Sequence, residues 1–181
     1  MRKVLVVAQS LDGYIAQSRE QISTAWTSKE DRQWFGQISR QLGVLIMGAV
    51  TYQTIGRPLP ERKIVVLNQP GELVELPELS AWQESEKTAV YRTDGRDIVS
   101  VLAQLEDLGV AAVAICGGAR VYHGFLAQRL VDEMYVTIEP VLLGGGIKLT
   151  EGATWSEVWR WRVAEKRDLS SQTSVWHLVS A

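Results

Sequence analysis

The chain has 181 residues, 46% of them hydrophobic and 22% charged, with a formal net charge of -2. These values fit one globular domain with a sizeable core and exclude a disordered or fibrous chain. The balanced charge leaves no basic field for nucleic acid and no polybasic or polyacidic tail for a lipid surface. Cys116 is the single cysteine, so no internal disulfide forms, and the apolar stretch in "MRKVLVVAQSLDGYIA" is too short and interrupted for a secretory or spanning segment; a cytoplasmic protein is expected.

In chain order, "KVLVVA" (3–8) reads as a buried strand. "SKEDRQWFGQISRQL" (28–42) has helical spacing, with Ser28 as its N-cap and Asp31 three residues later. "GVLIMG" (43–48), "KIVVLN" (63–68), "TAVYRT" (88–93) and "AAVAIC" (111–116) are further valine- and isoleucine-rich strands bounded by turn formers. Between the last two, "GRDIVSVLAQLEDLG" (95–109) places Ile98, Val101, Leu102 and Leu105 on one helical stripe that Gly109 ends. Such alternation implies a largely parallel sheet. The C-terminal stretches "DEMYVTIEPVLL", "EVWRWRVAEKRDL" and "QTSVWHLVS" have no long helix between them and read as antiparallel or edge strands, with "DLSSQ" as a turn. The expected class is therefore α/β in one domain over residues 1–181, with a central mixed, mostly parallel sheet and an antiparallel C-terminal hairpin. Residues 68–87 form the most irregular stretch, a surface excursion.

Common chemical signatures are missing. His123, His177 and Cys116 lack metal-ligand spacing, so no metal site is expected, and neither a phosphate loop, a G-x-S-x-G elbow nor an early G-x-G-x-x-G is present. Two glycine breaks remain, each where a strand hands over to a helix: Met47-Gly48, and "ICGGARVYHGFL" (115–126) with Gly117-Gly118. Glycine lets a ligand approach the backbone, and helix N-termini offer unpaired N–H groups to phosphate oxygens. Two such ends suit a diphosphate; tight turns alone are the other reading.

"MGAVTYQTIGRPLPERK" resembles the dihydrofolate reductase segment Met-Gly-x-x-Thr-Tyr/Trp-x-x-Ile-Gly-Arg-Pro-Leu-Pro, and "ICGGARVYHGFL" that family's second glycine motif. "QSLDGYIA" and "LVDEMYVTIEPVLLGGG" (130–146) are similar to the reductase domain of bacterial riboflavin biosynthesis proteins, a related family with the same three-layer fold. The resemblance implies hydride transfer from reduced nicotinamide to a carbon–nitrogen double bond of a small heterocycle, favouring a pterin over a phosphorylated aminopyrimidine or a non-catalytic dinucleotide-binding module. It implies Asp31 as the acid, supported by Thr137, with Ala8, Trp26, Phe35, Leu59 and Arg62 also around the substrate; Arg62 would pair with a carboxylate of its tail. For the cofactor it implies Ala8 and Ile15 near the start, Gly48, Ala49, Val50 and Thr51 at the first glycine break, and Leu67 and Asn68 at a strand end. Cys116, Gly117, Gly118, Ala119, Arg120, Val121 and Tyr122 would complete the cofactor site.

Some wording departs from the family's. Ala49 and Val50 stand where a basic residue usually meets the 2'-phosphate of NADPH; either Arg92 or Lys63 substitutes, or NADH is accepted too, with NADPH the expected cofactor. The segment "AQSREQISTAW" (16–26) also differs, so the lid over the nicotinamide is expected to differ. Gly144 to Gly146 either line the nicotinamide side or form a turn. Trp155, Trp159, Trp161 and Trp176 gather near the C-terminus, where they fill core or, as in riboflavin-type relatives, support a homodimer.

Overall fold

The computed structural model describes residues 1–19, 21–68, 75–150 and 158–181. Strand alternation in β1 (Arg2–Ser10) sends Leu5 and Val7 to one face and Val4 and Val6 to the other, and all four are buried. A strand buried on both sides needs a cover on each. The helices supply it. After the short β2 (Tyr14–Ala16), α1 (Lys29–Leu42) leads into β3 (Val44–Gly48), and α2 (Ala49–Ile55) into β4 (Lys63–Asn68). Ile38, Leu42 and Ala49 from these two helices pack with Val4, Val6, Leu45, Met47 and Ile64. β5 (Ala89–Asp94), α3 (Ile98–Asp107), β6 (Ala112–Ile115) and α4 (Ala119–Ala127) follow. The stripe of Ile98, Val101, Leu102 and Leu105 joins Val121, Phe125 and Leu126 against the opposite face. Each fully buried Leu, Ile or Phe contributes about 1.5–3 kcal/mol through lost apolar exposure.

β7 (Glu133–Glu139), the two-residue β8 (Ile147–Lys148), β9 (Trp161–Asp168) and β10 (Ser174–Ser180) complete the chain. The eight-stranded sheet runs β5-β4-β3-β6-β1-β7-β10-β9. The pairings from β5 to β7 are parallel, whereas β10 is antiparallel to both β7 and β9. This is the expected α/β architecture with its mixed sheet and C-terminal hairpin. From β1 the chain moves outward through β3, β4 and β5, then returns to insert β6 between β3 and β1. That reversal opens a crevice at the carboxyl ends of the strands.

Several local features differ from the sequence reading. α3 starts at Ile98 because the Asp97 carboxylate accepts from Ser100 N–H and caps the helix, leaving Gly95 and Arg96 outside it. β9, an edge strand as its sequence suggests, is exposed along nearly its whole length. Trp159 and Trp161 pack on each other with ring centroids 4.8 Å apart and against the core, whereas Trp176 is 38% exposed. Trp155 lies outside the described residues, as do positions 69–74 of the irregular excursion. The rest of that excursion is anchored: Leu79 is buried, Trp82 packs on Tyr91, and Lys63 Nζ sits 4.0 Å over the Trp82 ring.

The Gly144–Gly146 segment is a turn clasped to the start of the chain. Asp12 accepts hydrogen bonds from Leu143 N–H and Gly144 N–H and from the Ser10 hydroxyl, which holds its carboxyl below the usual range. Gly146, at φ 130°, lies so close to the Ala16–Gln17 backbone that a Cβ would fall 2.2 Å from the Ala16 carbonyl oxygen. Gly145 has nothing within 4 Å of the same position. Gly146→Ala is therefore expected to destabilise the fold by at least about 1–3 kcal/mol, the usual cost of such backbone conformations. Gly145→Ala should stay within about 0.5 kcal/mol. Denaturant titration of both variants checks this, and equal stability would contradict the close approach.

Candidate active site

A cavity of about 1200 Å³ occupies the crevice. This exceeds the ~300–1,000 Å³ common for one small ligand and leaves room for a dinucleotide beside a second, smaller molecule. Strand ends build its floor: Ala8 of β1, Gly48 of β3, Leu67 of β4, Cys116 just after β6, and Thr137 of β7 all line it.

One end is made by the glycine bends. Gly48 precedes α2 and Gly118 precedes α4, and Gly48 N–H donates to the Gly117 carbonyl at 2.8 Å, so both bends open onto the same space. Little room is left for side chains at these points. A Cβ on Gly118 would lie 3.1 Å from Thr51 Oγ1, one on Gly117 3.2 Å from the Tyr122 ring, and one on Gly48 3.3 Å from Val121. The Gly117-Gly118 peptide is cis. Tyr122 is buried and donates its hydroxyl hydrogen to the Val6 carbonyl at 2.8 Å, which locks α4 onto β1; burial pushes that hydroxyl well above its ordinary pKa. Ala49, Val50, Thr51, Ala119, Arg120 and Val121 line this end, and Ile15 lines the cavity from the β1–β2 side. Burial pushes the Cys116 thiol up to about 12, so it is a neutral wall group and not a nucleophile.

The other end holds Asp31. Ser28 caps α1, accepting the Asp31 N–H at 3.0 Å, and the first helical turn carries the Asp31 side chain inward to 8% exposure. Phe35 lies one turn further along the same face and also lines the cavity. Burial raises the Asp31 carboxyl above its ordinary value of 3.8; a hydrogen bond with Thr137 opposes this, and the Glu139 charge adds to the rise. Leu59 and Arg62 enter from the loop after α2. Arg62 is 6% exposed, donating to the Pro60 carbonyl at 3.0 Å and the Ser39 hydroxyl at 2.8 Å, and no carboxylate pairs with it among the described residues. A buried guanidinium that meets only neutral acceptors is a ready partner for an anion.

The cavity thus gathers Asp31, Thr137, Ala8, Phe35, Leu59 and Arg62 with the glycine-bend residues. Trp26 and Asn68 are not brought there. Trp26 ends a 3₁₀ turn (Ser23–Ala25) with its indole N–H buried inside the protein, and it is the next residue, Thr27, that lines the cavity. Asn68 closes β4 with its side-chain oxygen buried and its carbonyl accepting Gly95 N–H. The two suggested substitutes for a 2'-phosphate ligand are also misplaced. Lys63 begins β4, at the end opposite the cavity, and donates to the Gln83 and Glu84 carbonyls; Arg92 on the edge strand donates to the Leu76 carbonyl and pairs with Glu78 at 2.6 Å. The sequence reading missed Thr27, whose buried hydroxyl lies beside the Asp31 carboxyl and, like Thr137, opposes the rise in its pKa, and Ile147, which the Asp12 clasp brings to the cavity. Thr27 had a signal, because it separates Trp26 from the capping Ser28; Ile147 had none, since it arrives through a long-range pairing. No group of metal-ligating side chains occurs among the described residues, and none of their helices is long and apolar enough to cross a membrane.

A family profile for the RibD C-terminal domain matches residues 3–175. The uncharacterized protein YwjB of Bacillus subtilis (strain 168) is 25% identical over 151 residues, 82% of each chain. Dihydrofolate reductase of Haemophilus influenzae is 29% identical over 133 residues, 74% of this chain and 69% of that one. Among solved structures, the diaminohydroxyphosphoribosylaminopyrimidine deaminase/5-amino-6-(5-phosphoribosylamino)uracil reductase of Thermotoga maritima superposes with a TM-score of 0.78 at 19% identity. That comparison covers 99% of this chain and 56% of the other, and it shows a shared fold. Matched over nearly its whole length, the chain belongs to the RibD C-terminal domain family.

Proposed function

We propose that this chain is an NADPH-dependent reductase of a pterin-type heterocycle. The observation that carries this reading is a buried carboxyl, Asp31, at one end of a single cavity whose other end is formed by two glycine bends. The glycine end fits a dinucleotide, since Gly48, Gly117 and Gly118 leave backbone exposed in places where a Cβ would crowd Val121, Tyr122 or Thr51. Residues 48–51 and 117–122 would hold the cofactor, with Ala8 and Ile15 bordering its nicotinamide; when bound, the cofactor supplies a hydride.

The remaining work falls to the protein. Phe35 and Leu59 would cover the flat face of the heterocycle and keep water from the reacting carbon. Asp31, steadied by Thr137, would accept hydrogen bonds from an amino-pyrimidine edge and favour protonation of the ring nitrogen next to the carbon that is reduced. Arg62 would receive the anionic tail. Ala49 and Val50 offer no cation near the first bend, so selectivity for NADPH over NADH would be modest, with Arg120 lining this end of the cavity. A second reading, reduction of a phosphorylated ribosylaminopyrimidine, draws support from the family match. Following nicotinamide absorbance with dihydrofolate and then with the aminopyrimidine distinguishes the two readings; binding of NADPH with no oxidation by either substrate would leave a dinucleotide-binding module.

Asp31→Asn is expected to lower turnover by about 10²- to 10⁴-fold, the range for lost general-acid assistance, with NADPH affinity unchanged. Equal turnover would remove Asp31 from the mechanism. Gly118→Val should do the reverse, weakening NADPH binding at least about tenfold, equivalent to ~1.4 kcal/mol, as read by tryptophan fluorescence.

The raised Asp31 carboxyl has a stability consequence. Between 3.8 and its higher folded value, the folded chain binds more protons than the unfolded chain, so this group's contribution to stability falls as pH rises through that window. Asp31→Asn should therefore raise the melting temperature at neutral pH, with the advantage shrinking toward pH 3. A constant difference across the titration would contradict the assigned burial cost.

A further inference from the structure

Strand alternation places Glu139 on the same face of β7 as Thr137, one pleat beyond it. Glu139 is 2% exposed and has no cationic partner among the described residues. Its carboxylate accepts Ser28 N–H at 2.9 Å, the Ser28 hydroxyl at 2.7 Å and the Thr173 hydroxyl at 3.0 Å. These three donors come from the entrance of α1 and from the β9–β10 turn, so the side chain ties three separate parts of the fold together. The Ser28 hydroxyl gives its hydrogen to Glu139 and accepts the Asp31 N–H, which makes Ser28 a bridge between the two acidic residues.

A buried carboxylate without a countercharge is costly, and an amide of the same shape would offer hydrogen-bonding groups without that cost. What only the carboxylate supplies is a negative charge close to Asp31. We propose that Glu139 is a positioning residue for Asp31: it orients the Ser28 cap that sets the Asp31 carboxyl in the cavity, and it places a second carboxylate behind that cap. Burial and, to a lesser degree, the Glu139 charge raise Asp31, while hydrogen bonds with Thr137 and Thr27 and the Arg32 charge on the same helix act against them. Arg32 is exposed and donates to the Thr24 and Thr27 carbonyls. From α4, Tyr122 faces Asp31 as a neutral phenol. From β1, Ser10 lies opposite Glu139 in register and donates to Asp12, whose carboxyl is held below the usual range by that bond and by two backbone N–H groups. From the β9–β10 turn comes only the neutral Thr173.

The consequence for turnover rests on the reductase reading, whereas the effect of Glu139 on Asp31 does not. The test is therefore a carbon-13 carboxyl NMR titration of the ligand-free protein, with Asp31→Asn used to assign the Asp31 signal. In Glu139→Gln the Asp31 midpoint should move down toward the ordinary carboxylate range. In Glu139→Asp, which keeps the charge, it should stay high, and in Ser28→Ala the helix should lose stability while the midpoint stays raised. Glu139→Met, which fills the same space without charge, repeats the measurement if the Gln variant does not fold. An unchanged midpoint in a folded charge-free variant would overturn the proposal. So would failure of both charge-free variants to fold beside a folded Glu139→Asp with an ordinary Asp31 midpoint, since Glu139 would then only hold the fold. A downward shift in a protein that reduces neither substrate would refute the reductase reading and leave Glu139's role standing.

Discussion

One carboxyl group taken out of water sets the terms for the rest of this structure. Asp31 sits in the crevice with Ser28 fixing the helix entrance, Thr137 and Thr27 beside its carboxyl, and buried strand residues beneath it. Its burial weakens the fold at neutral pH, and the apolar layers on both faces of the sheet offset that cost. The same desolvation that makes the group expensive would suit the acid role proposed for it, since a proton held at higher pH is available where an ordinary carboxylate would have lost it. On the proposed role, site and stability are opposed at this residue.

The crevice itself follows from topology. When β6 returns between β3 and β1, the carboxyl ends of neighbouring strands lead to helices on opposite faces, α2 on one and α4 on the other. Their N-terminal bends meet through the Gly48–Gly117 hydrogen bond. Side chains there would close the passage, so glycine is required by space as much as by backbone freedom. The loop carrying Arg62 and the glycine bends line the same cavity.

Much of this was legible in the sequence because it depends on local spacing. Ser28 and Asp31 are three residues apart, Asp31 and Phe35 four, and the apolar stripe of α3 follows helical period, so each could be read from the chain alone. The two glycine motifs were visible as breaks after apolar runs. What the sequence concealed depends on contacts between distant segments. Lys63 and Arg92 looked available for a phosphate, yet the carbonyls of the 75–88 region and Glu78 engage them. Glu139 read as an ordinary strand residue until Ser28 and Thr173 met around it. Thr27 and not Trp26 lines the cavity through the direction of a single 3₁₀ turn, which spacing does not encode.

For the proposed reduction, a reduced nicotinamide and a flat heterocycle must lie face to face in this one crevice. The most direct measurement uses NADPH deuterated at the transferring C4 position and follows the label by mass spectrometry and NMR. Deuterium bound to carbon in the reduced heterocycle, and none delivered to solvent, is the predicted result. Cofactor that binds tightly yet keeps its label in the presence of both candidate heterocycles would contradict it.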